Sequence, residues 1–167
     1  NEALNILGAT PVGMPVPAVP QALSKGVVDG AMLPYEVTLP LKVHELVKYH
    51  TEFGGDQGIY TTVFLFGMNK AKYDSLPADL KQVIDNNSGL ALAKQIGAVW
   101  DQADNPGREA AKKAGNQFNT IEGEELERWK QASQPVVDNW IKAMDEQGLN
   151  GQQMYEVAKA LVTKYSQ

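Results

Sequence analysis

The sequence predicts an α/β fold in which a strand-rich first part, residues 1–69, precedes long helices in residues 70–167. Six of the nine prolines lie in the first part, and such breakers favour strands and short helices there. In the second part, apolar residues recur at intervals of three and four, which is the spacing of amphipathic helices. The charge pattern changes at the same boundary, because only three of the fifteen basic residues precede it.

The first part begins with what looks like the end of a helix, residues 1–7. Gly26 suits the position just after a helix, and the Val27-Val28 pair suits the start of a strand. Residues 59–68 are rich in Tyr, Thr, Val and Phe, as expected of a buried central strand. The predicted elements of this part are strands at residues 10–14, 28–33, 49–53 and 59–68, with helices at residues 18–25 and 39–47.

The second part is expected to be helical apart from one short strand near residue 120. Ser75 is predicted to cap a helix whose first turn holds Pro77. This helix is expected to extend toward Ala114, with Pro106-Gly107 as a kink or break. The remaining predicted elements are a strand at residues 116–121 and helices at residues 124–147 and 152–165.

The composition excludes several classes of protein. A net charge of −5, from 15 basic and 20 acidic residues, argues against a nucleic-acid-binding surface, which needs clustered positive charge. The absence of cysteine excludes disulfides, thiolate metal sites and cysteine nucleophiles. No apolar run of about 18 residues is present, so no segment is expected to span a membrane.

No motif for catalysis or metal binding is recognisable. His44-Glu45 and His50 invite comparison with zinc proteases, but those need histidines four residues apart, and here the gap is six. Nucleophile elbows, dinucleotide-binding turns and Walker-type phosphate loops are absent. Asp29 belongs to an Asp-Gly pair, which is ordinary turn chemistry. We therefore expect no catalytic residues, no bound metal and no cofactor.

Four short motifs are informative in combination: Gly8-Ala9-Thr10-Pro11-Val12, Lys25-Gly26-Val27-Val28-Asp29-Gly30-Ala31 with Pro34, Met68-Asn69-Lys70, and Ser75-Leu76-Pro77. Together they resemble the periplasmic solute-binding proteins of TRAP transporters, the DctP-like family, over nearly the whole chain. The resemblance implies the second lobe of a two-lobe periplasmic binding protein, with a small mixed sheet and long C-terminal helices that brace both lobes. Because family members are much longer, it also implies that this chain is a fragment without its N-terminal lobe.

The resemblance also implies where a ligand would lie. Family members line the binding cleft with the segment after Gly-Ala-x-Pro, which here contains Met14 and Val16. They often follow the Asp-Gly signature with an Asn that reaches the carboxylate of the ligand, and this chain has Leu33 there. An unpaired carboxylate against leucine is unfavourable, so the difference favours a ligand with one carboxylate and an apolar or aromatic body. The predicted ligand contacts are Met14, Val16, Leu33, Tyr35, Tyr60 and Thr61, with the tyrosines as neighbours for a ring.

The positions of arginine bear on how a carboxylate would be held. A carboxylate receptor usually uses the planar guanidinium of arginine, which matches the two carboxylate oxygens. Residues 1–107 contain no arginine, and Arg108 and Arg128 lie in the helical part. In the resembled family, the carboxylate-binding arginine precedes the helix that residues 1–7 would complete. The resemblance therefore implies that this arginine lies upstream of residue 1.

We therefore expect a periplasmic receptor that captures a small organic acid for the membrane subunits of a TRAP transporter, preferably a monocarboxylate with an apolar or aromatic body. It is expected not to be an enzyme and not to bind nucleic acid. Two alternatives stay open: an α/β enzyme domain that uses Asp29, His44 or His50, and an interaction domain without a small ligand. A chain that lacks its other lobe is also expected to expose the apolar faces around its three tryptophans and to form a homo-oligomer.

Overall fold

The computed structural model describes residues 1–55 and 58–165, which form two compact units. The first unit combines Asn1–Val16, Thr51–Ile59 and Phe118–Gln167, and the second combines Pro17–His50 and Tyr60–Gln117. Each unit is therefore built from segments that are distant in the sequence. Each also takes residues from both sides of the predicted boundary at residue 69.

Helices dominate the described residues. They are α1 (Glu2–Ile6), α2 (Val19–Ser24), α3 (Tyr35–Thr38), α4 (Lys70–Asp74), α5 (Ala78–Asn86), α6 (Gly89–Lys113), α7 (Gly123–Glu146) and α8 (Gly151–Tyr165). Two short 3₁₀ turns, Val16–Ala18 and Val43–Glu45, and two strands, β1 (Tyr49–Phe53) and β2 (Gln117–Ile121), complete the secondary structure of this part of the chain. None of the helices within residues 1–55 and 58–165 combines the length and hydrophobicity that crossing a membrane requires.

The two strands form a two-stranded sheet. Near its start, the Gln117 amide donates to the Lys48 carbonyl at 2.8 Å, and near its end the Gly54 amide donates to the Ile121 carbonyl at 2.9 Å. Because the bonded partners advance together along both strands, the ladder is parallel. The long connection through α4, α5 and α6 is the crossover that a parallel pair requires.

The second unit contains the packing of α3 against α6. The buried apolar side chains found within residues 1–55 and 58–165 are Val19, Ala22, Val43 and Ala111, and all four belong to this unit. Thr38 of α3 is also buried, and its hydroxyl donates to the Tyr35 carbonyl at 2.7 Å. The buried hydroxyl is therefore satisfied within its own helix.

In the first unit, α7 packs against α1 and α8. The approach of α8 to α7 is close, because a Cβ atom on Gly151 would overlap the Ile141 carbonyl oxygen. The Asp145 carboxylate accepts a hydrogen bond from the Gly151 amide at 2.8 Å, which fixes the start of α8. Phe53 of β1 meets Trp129 of α7 edge-on, with ring centroids 5.4 Å apart.

Several sequence predictions are confirmed. The strand at residues 49–53 is present, and α2, β2, α7 and α8 lie within one residue of their predicted bounds. Gly26 follows α2 with a φ of +65°, and the Val27 amide donates back to the Ala22 carbonyl at 2.9 Å. This bonding is that of a Schellman C-cap, so the predicted helix end is correct in its mechanism as well.

Three of the four strands predicted in the first part are wrong. Residues 10–14, 28–33 and 59–68 contain no strand in this structure. A strand needs a neighbour that pairs with its backbone groups, and no described segment takes that place. Residues 60–68 are exposed throughout, with Leu65 at 93% exposure. The hydrophobic pattern therefore identified an apolar segment, but it carried no information about a pairing partner.

Three predictions about helices also need correction. Ser75 ends α4 instead of capping the next helix, and Pro77 occupies the position before α5. Helix α6 continues through Pro106 and Gly107 without a break, since a single proline removes one helical hydrogen bond that packing can offset. Residues 39–47, which were predicted to form a helix, contain only a 3₁₀ turn. The helix lies just before them, as the short α3 that begins directly after a proline.

Candidate ligand-binding site

The six predicted ligand contacts fall in both units. Met14 and Val16 belong to the first unit, and Leu33, Tyr35, Tyr60 and Thr61 belong to the second. Met14, Leu33 and Tyr35 are half-buried, and the other three are exposed. Tyr35 has the most extensive set of described contacts among them, so the candidate site is described from this residue outward.

Tyr35 opens α3 directly after Pro34, whose backbone is extended. Helix α6 contacts this turn at two points. The Asp104 carboxylate accepts a hydrogen bond from the Glu36 amide at 2.8 Å. Gly107 lies so close that a Cβ atom there would overlap the Tyr35 carbonyl oxygen. The backbone that carries the Tyr35 side chain is therefore held by α6.

The ring of Tyr35 stacks on the ring of His50, with centroids 5.7 Å apart and planes inclined by 29°. Asn116 holds the histidine of this aromatic pair. Its Nδ2 atom lies 3.0 Å from the His44 carbonyl oxygen and 3.0 Å from His50 Nε2. Because an amide nitrogen carries two protons, Asn116 donates to both atoms when His50 Nε2 is unprotonated. The aromatic pair is thus supported on its histidine side by the residue that precedes β2.

Negative charge lies at the start of α3. Burial, and secondly the nearby Asp104 carboxylate, raise the pKa of Glu36 above its ordinary value.

The two arginines of the chain lie in helices, Arg108 in α6 and Arg128 in α7, where Arg128 pairs with Glu125. Neither arginine therefore belongs to the segments that carry the six predicted contacts.

Tyr60 and Thr61 begin the exposed apolar segment that precedes α4. Within this segment, the Phe64 ring stacks on Trp100 of α6, with centroids 4.9 Å apart and planes inclined by only 2°. Both rings stay partly exposed, and Leu65 and its neighbours are exposed further. The assignment of Tyr60 and Thr61 as ligand contacts, like that of the other four residues, stays a prediction.

A shallow, open cavity of about 320 Å³ lies within the first unit. It is lined by Leu7, Glu125, Arg128, Trp129 and Ala132. The Trp129 Nε1 atom donates to Glu125 Oε1 at 3.0 Å, and the same glutamate pairs with Arg128. The polar groups of the wall therefore bind one another, and none of the six predicted contacts lines this cavity.

Asp29, His44 and His50, the candidates for catalysis, do not belong to a cluster of metal ligands in the described residues. Asp29 is exposed in the turn region after α2. His44 is half-buried, and its Nδ1 atom is buried without a hydrogen-bond partner among residues 1–55 and 58–165. His50 belongs to the aromatic pair. Within the same described ranges, no three His, Asp or Glu side chains converge as they would around a metal ion.

A profile of DctP, the bacterial extracellular solute-binding protein family 7, matches residues 1–143. The chain belongs to this family. Its members are ligand-binding receptors rather than enzymes. Among curated relatives, the C4-dicarboxylate-binding periplasmic protein DctP of Rhodobacter capsulatus is 30% identical over 136 residues, which cover 81% of this chain and 39% of that protein.

Solved structures of related proteins match nearly the whole chain. A TRAP solute-binding protein from an unidentified marine microbe is 49% identical with a TM-score of 0.93, and the match covers 99% of this chain and 52% of that one. That protein is specific for aromatic acid ligands, and its structures contain meta-hydroxyphenylacetate or 3-hydroxybenzoate. A TRAP solute-binding protein from Rhodoferax ferrireducens, with copurified benzoate, is 42% identical with a TM-score of 0.87 over the same shares. The predicted α/β fold of this family is confirmed, and the chain spans about half the length of these proteins.

The residues that support Tyr35 were not predicted from the sequence. No role at the site was predicted for Asp104, Gly107 or Asn116, and His50 was considered only as a metal ligand or as a residue of an enzyme's active site. One signal was available, because a glycine inside an otherwise good helix often marks close packing. Asn116 gave no signal, since its partners lie 72 and 66 residues away in the sequence.

Proposed function

We propose that this chain is the ligand-binding part of a periplasmic receptor that captures a small organic acid for a TRAP transporter. The preferred ligand is a monocarboxylate with an apolar or aromatic body. The observation that carries this proposal is the aromatic pair of Tyr35 and His50, whose tyrosine closely follows the apolar Leu33 in the sequence. Membership of the solute-binding family supplies the receptor role.

The chemistry of these side chains argues for an aromatic body. A ring placed against an aromatic side chain gains about 0.5–1.5 kcal/mol beyond the burial of its area. Leu33 offers no hydrogen bond, so a second carboxylate beside it would lose hydration without gaining a donor. The two related proteins at 49% and 42% identity, which bind aromatic acids and benzoate, support the same ligand class.

The single carboxylate of such a ligand needs a cationic partner. We infer that an arginine from the remainder of the full-length protein supplies it, because residues 1–107 contain none. In this scheme the ligand lies between two lobes, with residues 1–69 in the binding lobe and residues 70–167 as bracing helices. Closure of the lobes around the ligand then creates the surface that the membrane subunits recognise.

This scheme predicts that the 167-residue chain alone binds organic acids weakly, whereas the full-length protein binds them well. Calorimetric titration of benzoate into both proteins tests the difference. Tight binding by the chain alone, with one ligand per chain, would mean that no outside arginine is required.

A C4-dicarboxylate is the second candidate ligand, because the relative from Rhodobacter capsulatus is a C4-dicarboxylate-binding protein. Titration of the full-length protein with benzoate and with succinate separates the two candidates. We expect benzoate to bind more tightly, and Tyr35→Ala to weaken its binding. Tyr49→Ala is the matched control, since Tyr49 is an exposed tyrosine of β1. Tighter binding of succinate by the unmodified protein would overturn the ligand assignment.

Two functions of other classes are tested with the same protein. An α/β enzyme would use Asp29, His44 or His50, and substitution of these residues would abolish a turnover found by screening the full-length protein. An interaction domain without a small ligand would show no thermal stabilisation by any organic acid. Stabilisation by aromatic acids without turnover is the result that the receptor proposal expects.

We also propose that the isolated 167-residue chain forms homo-oligomers. Leu65 and Phe66 are almost fully exposed, and Trp100 and Trp140 are exposed to a lesser degree. Such apolar exposure is a known cause of association, and in the full-length protein we expect residues 60–68 to pair as a strand with the remaining half. Light scattering at micromolar concentration tests the proposal, and a stable monomer of the chain would contradict it.

A further inference from the structure

One face of α6 carries small or hydrogen-bonding residues, and Asp104 and Gly107 of this face contact α3. Asp104, Gly107 and Ala111 follow one another at intervals of three and four, so they share this face. Ala111 has no exposed surface, and Gly107 is buried as well. The contacts at Asp104 and Gly107 therefore hold α3 close to α6 in a defined position.

We propose that Asp104 and Gly107 are positioning residues for ligand recognition. They fix the place of α3, and through it the place of the Tyr35 ring, without touching the ligand themselves. The inference rests on the proposed function, because it takes Tyr35 as a ligand contact.

Gly107 acts by having no side chain. A Cβ atom at this position would overlap the Tyr35 carbonyl oxygen and would lie 2.6 Å from Thr38 Oγ1, which is far inside normal contact. Both of these neighbours belong to α3, one to its backbone and one to a buried side chain. Because close-packed elements cannot absorb such an overlap, a side chain at Gly107 is expected to displace α3 relative to α6.

Asp104 acts by accepting a hydrogen bond. The Glu36 amide lies in the first turn of α3, where amides have no partner within the helix, and Asp104 Oδ1 supplies one at 2.8 Å. The charge of Asp104 contributes nothing favourable toward Glu36, because the two carboxylates repel each other. An uncharged acceptor of the same shape should therefore keep the positioning function.

The structure offers matched controls on the same helix. Gly107→Ala is paired with Gly97→Ala, because a Cβ atom on Gly97 would meet nothing within 4 Å. Asp104→Ala is paired with Asp101→Ala, which removes an exposed carboxylate one turn earlier. Asp104→Asn keeps the acceptor and serves as the rescue variant.

The experiment measures the affinity of the full-length protein for benzoate by calorimetry, with circular dichroism to confirm that each variant is folded. Gly107→Ala and Asp104→Ala should weaken binding about three- to tenfold, the value of a displaced aromatic contact. Gly97→Ala, Asp101→Ala and Asp104→Asn should stay within about twofold of the unmodified protein. If Gly107→Ala fails to fold, the Asp104 variants carry the test.

A second measurement separates positioning from general destabilisation. In a Tyr35→Ala background, Gly107→Ala and Asp104→Ala should weaken benzoate binding no further, because the contact that they position is already lost. Full additivity with Tyr35→Ala would overturn the inference. Unchanged binding by both variants, while Tyr35→Ala alone weakens it, would overturn the inference and leave the proposed function standing. Failure of the unmodified protein to bind any aromatic acid would overturn the proposed function itself.

Discussion

Replacing Leu33 with Asn tests the specificity argument most directly. Leu33 is half-buried and stands immediately before Pro34, whose extended backbone leads into α3 and Tyr35. It occupies the place where the resemblance to TRAP receptors puts an Asn that reaches a carboxylate. The two side chains are similar in size, so Leu33→Asn changes the chemistry of this wall more than its shape.

The expected magnitude follows from one hydrogen bond. A bond between a neutral donor and a charged carboxylate contributes about 1.5–3 kcal/mol, which corresponds to a change in affinity of roughly 10- to 150-fold. Water competes at a half-buried position, so we expect the lower end of that range. The same substitution removes apolar contact with an aromatic ligand, and each lost methylene contact costs about 0.8 kcal/mol. Both effects raise the affinity for succinate relative to that for benzoate.

Competition calorimetry on the full-length protein gives the ratio of the two affinities. Leu33→Asn should raise the succinate-to-benzoate ratio by about tenfold or more. Leu39→Asn is the control, since Leu39 follows α3 and is already exposed. An unmodified protein that already prefers succinate, or a variant whose two affinities fall equally, would refute the reasoning about Leu33.

Three further predictions concern stability, each measured by unfolding of the full-length protein. Asn116→Ala should lower the free energy of unfolding by about 1–3 kcal/mol, because it removes two partly buried hydrogen bonds. Gly151→Ala should lower it by about 1–3 kcal/mol, because the new Cβ atom would overlap a carbonyl oxygen of α7. Glu36→Gln should raise the melting temperature at pH 7. The raised pKa of Glu36 means that its charge destabilises the folded state, and this effect vanishes as the pH falls below the ordinary carboxyl value of 4.5.

Two of these predictions have a matched control variant, and the third is checked by its pH dependence. Asn119→Ala removes an exposed amide of β2, and Gly97→Ala adds a Cβ atom into open space on α6. Both should leave unfolding nearly unchanged. Equal effects of the Asn116 and Asn119 variants would show that the two hydrogen bonds add little. A Glu36→Gln effect of the same size at pH 4 and pH 7 would show that its cause is not charge.

Local rules in the sequence were enough to place α2, α7 and α8. The end of α2 at Gly26 follows from the left-handed conformation that glycine adopts freely, and the observed φ of +65° agrees. Helices α7 and α8 follow from apolar spacing and from the glycines near their ends. These signals lie within a few residues of the element that they define, so one sequence contains all of the required information.

Strand pairing could not be obtained in the same way. Residues 49–53 and 60–68 both have a composition suited to strands, yet only the first is paired, because β2 lies beside it. The partner of a strand is fixed by the fold as a whole and not by the strand's own residues. The second segment is apolar and exposed in this structure, which is why we propose that it pairs with a part of the full-length protein outside these residues.

The same distinction between local signals and distant contacts applies to the candidate site. Leu33 and Tyr35 follow a recognisable Asp-Gly signature, so a resemblance in sequence was able to propose them as ligand contacts, which stays a prediction. The supporting residues Asp104 and Asn116 contact Glu36 and His50, which lie 68 and 66 residues away in the sequence. The local sequence around the supporting residues gives no indication of these contacts. A family signature can nominate candidate ligand contacts, whereas the residues that hold these candidates in place become visible only in the structure, where α6 packs on α3 and β2 pairs with β1. If the positioning inference is correct, changes in specificity among relatives will arise on α6 as well as in the segment that carries the signature.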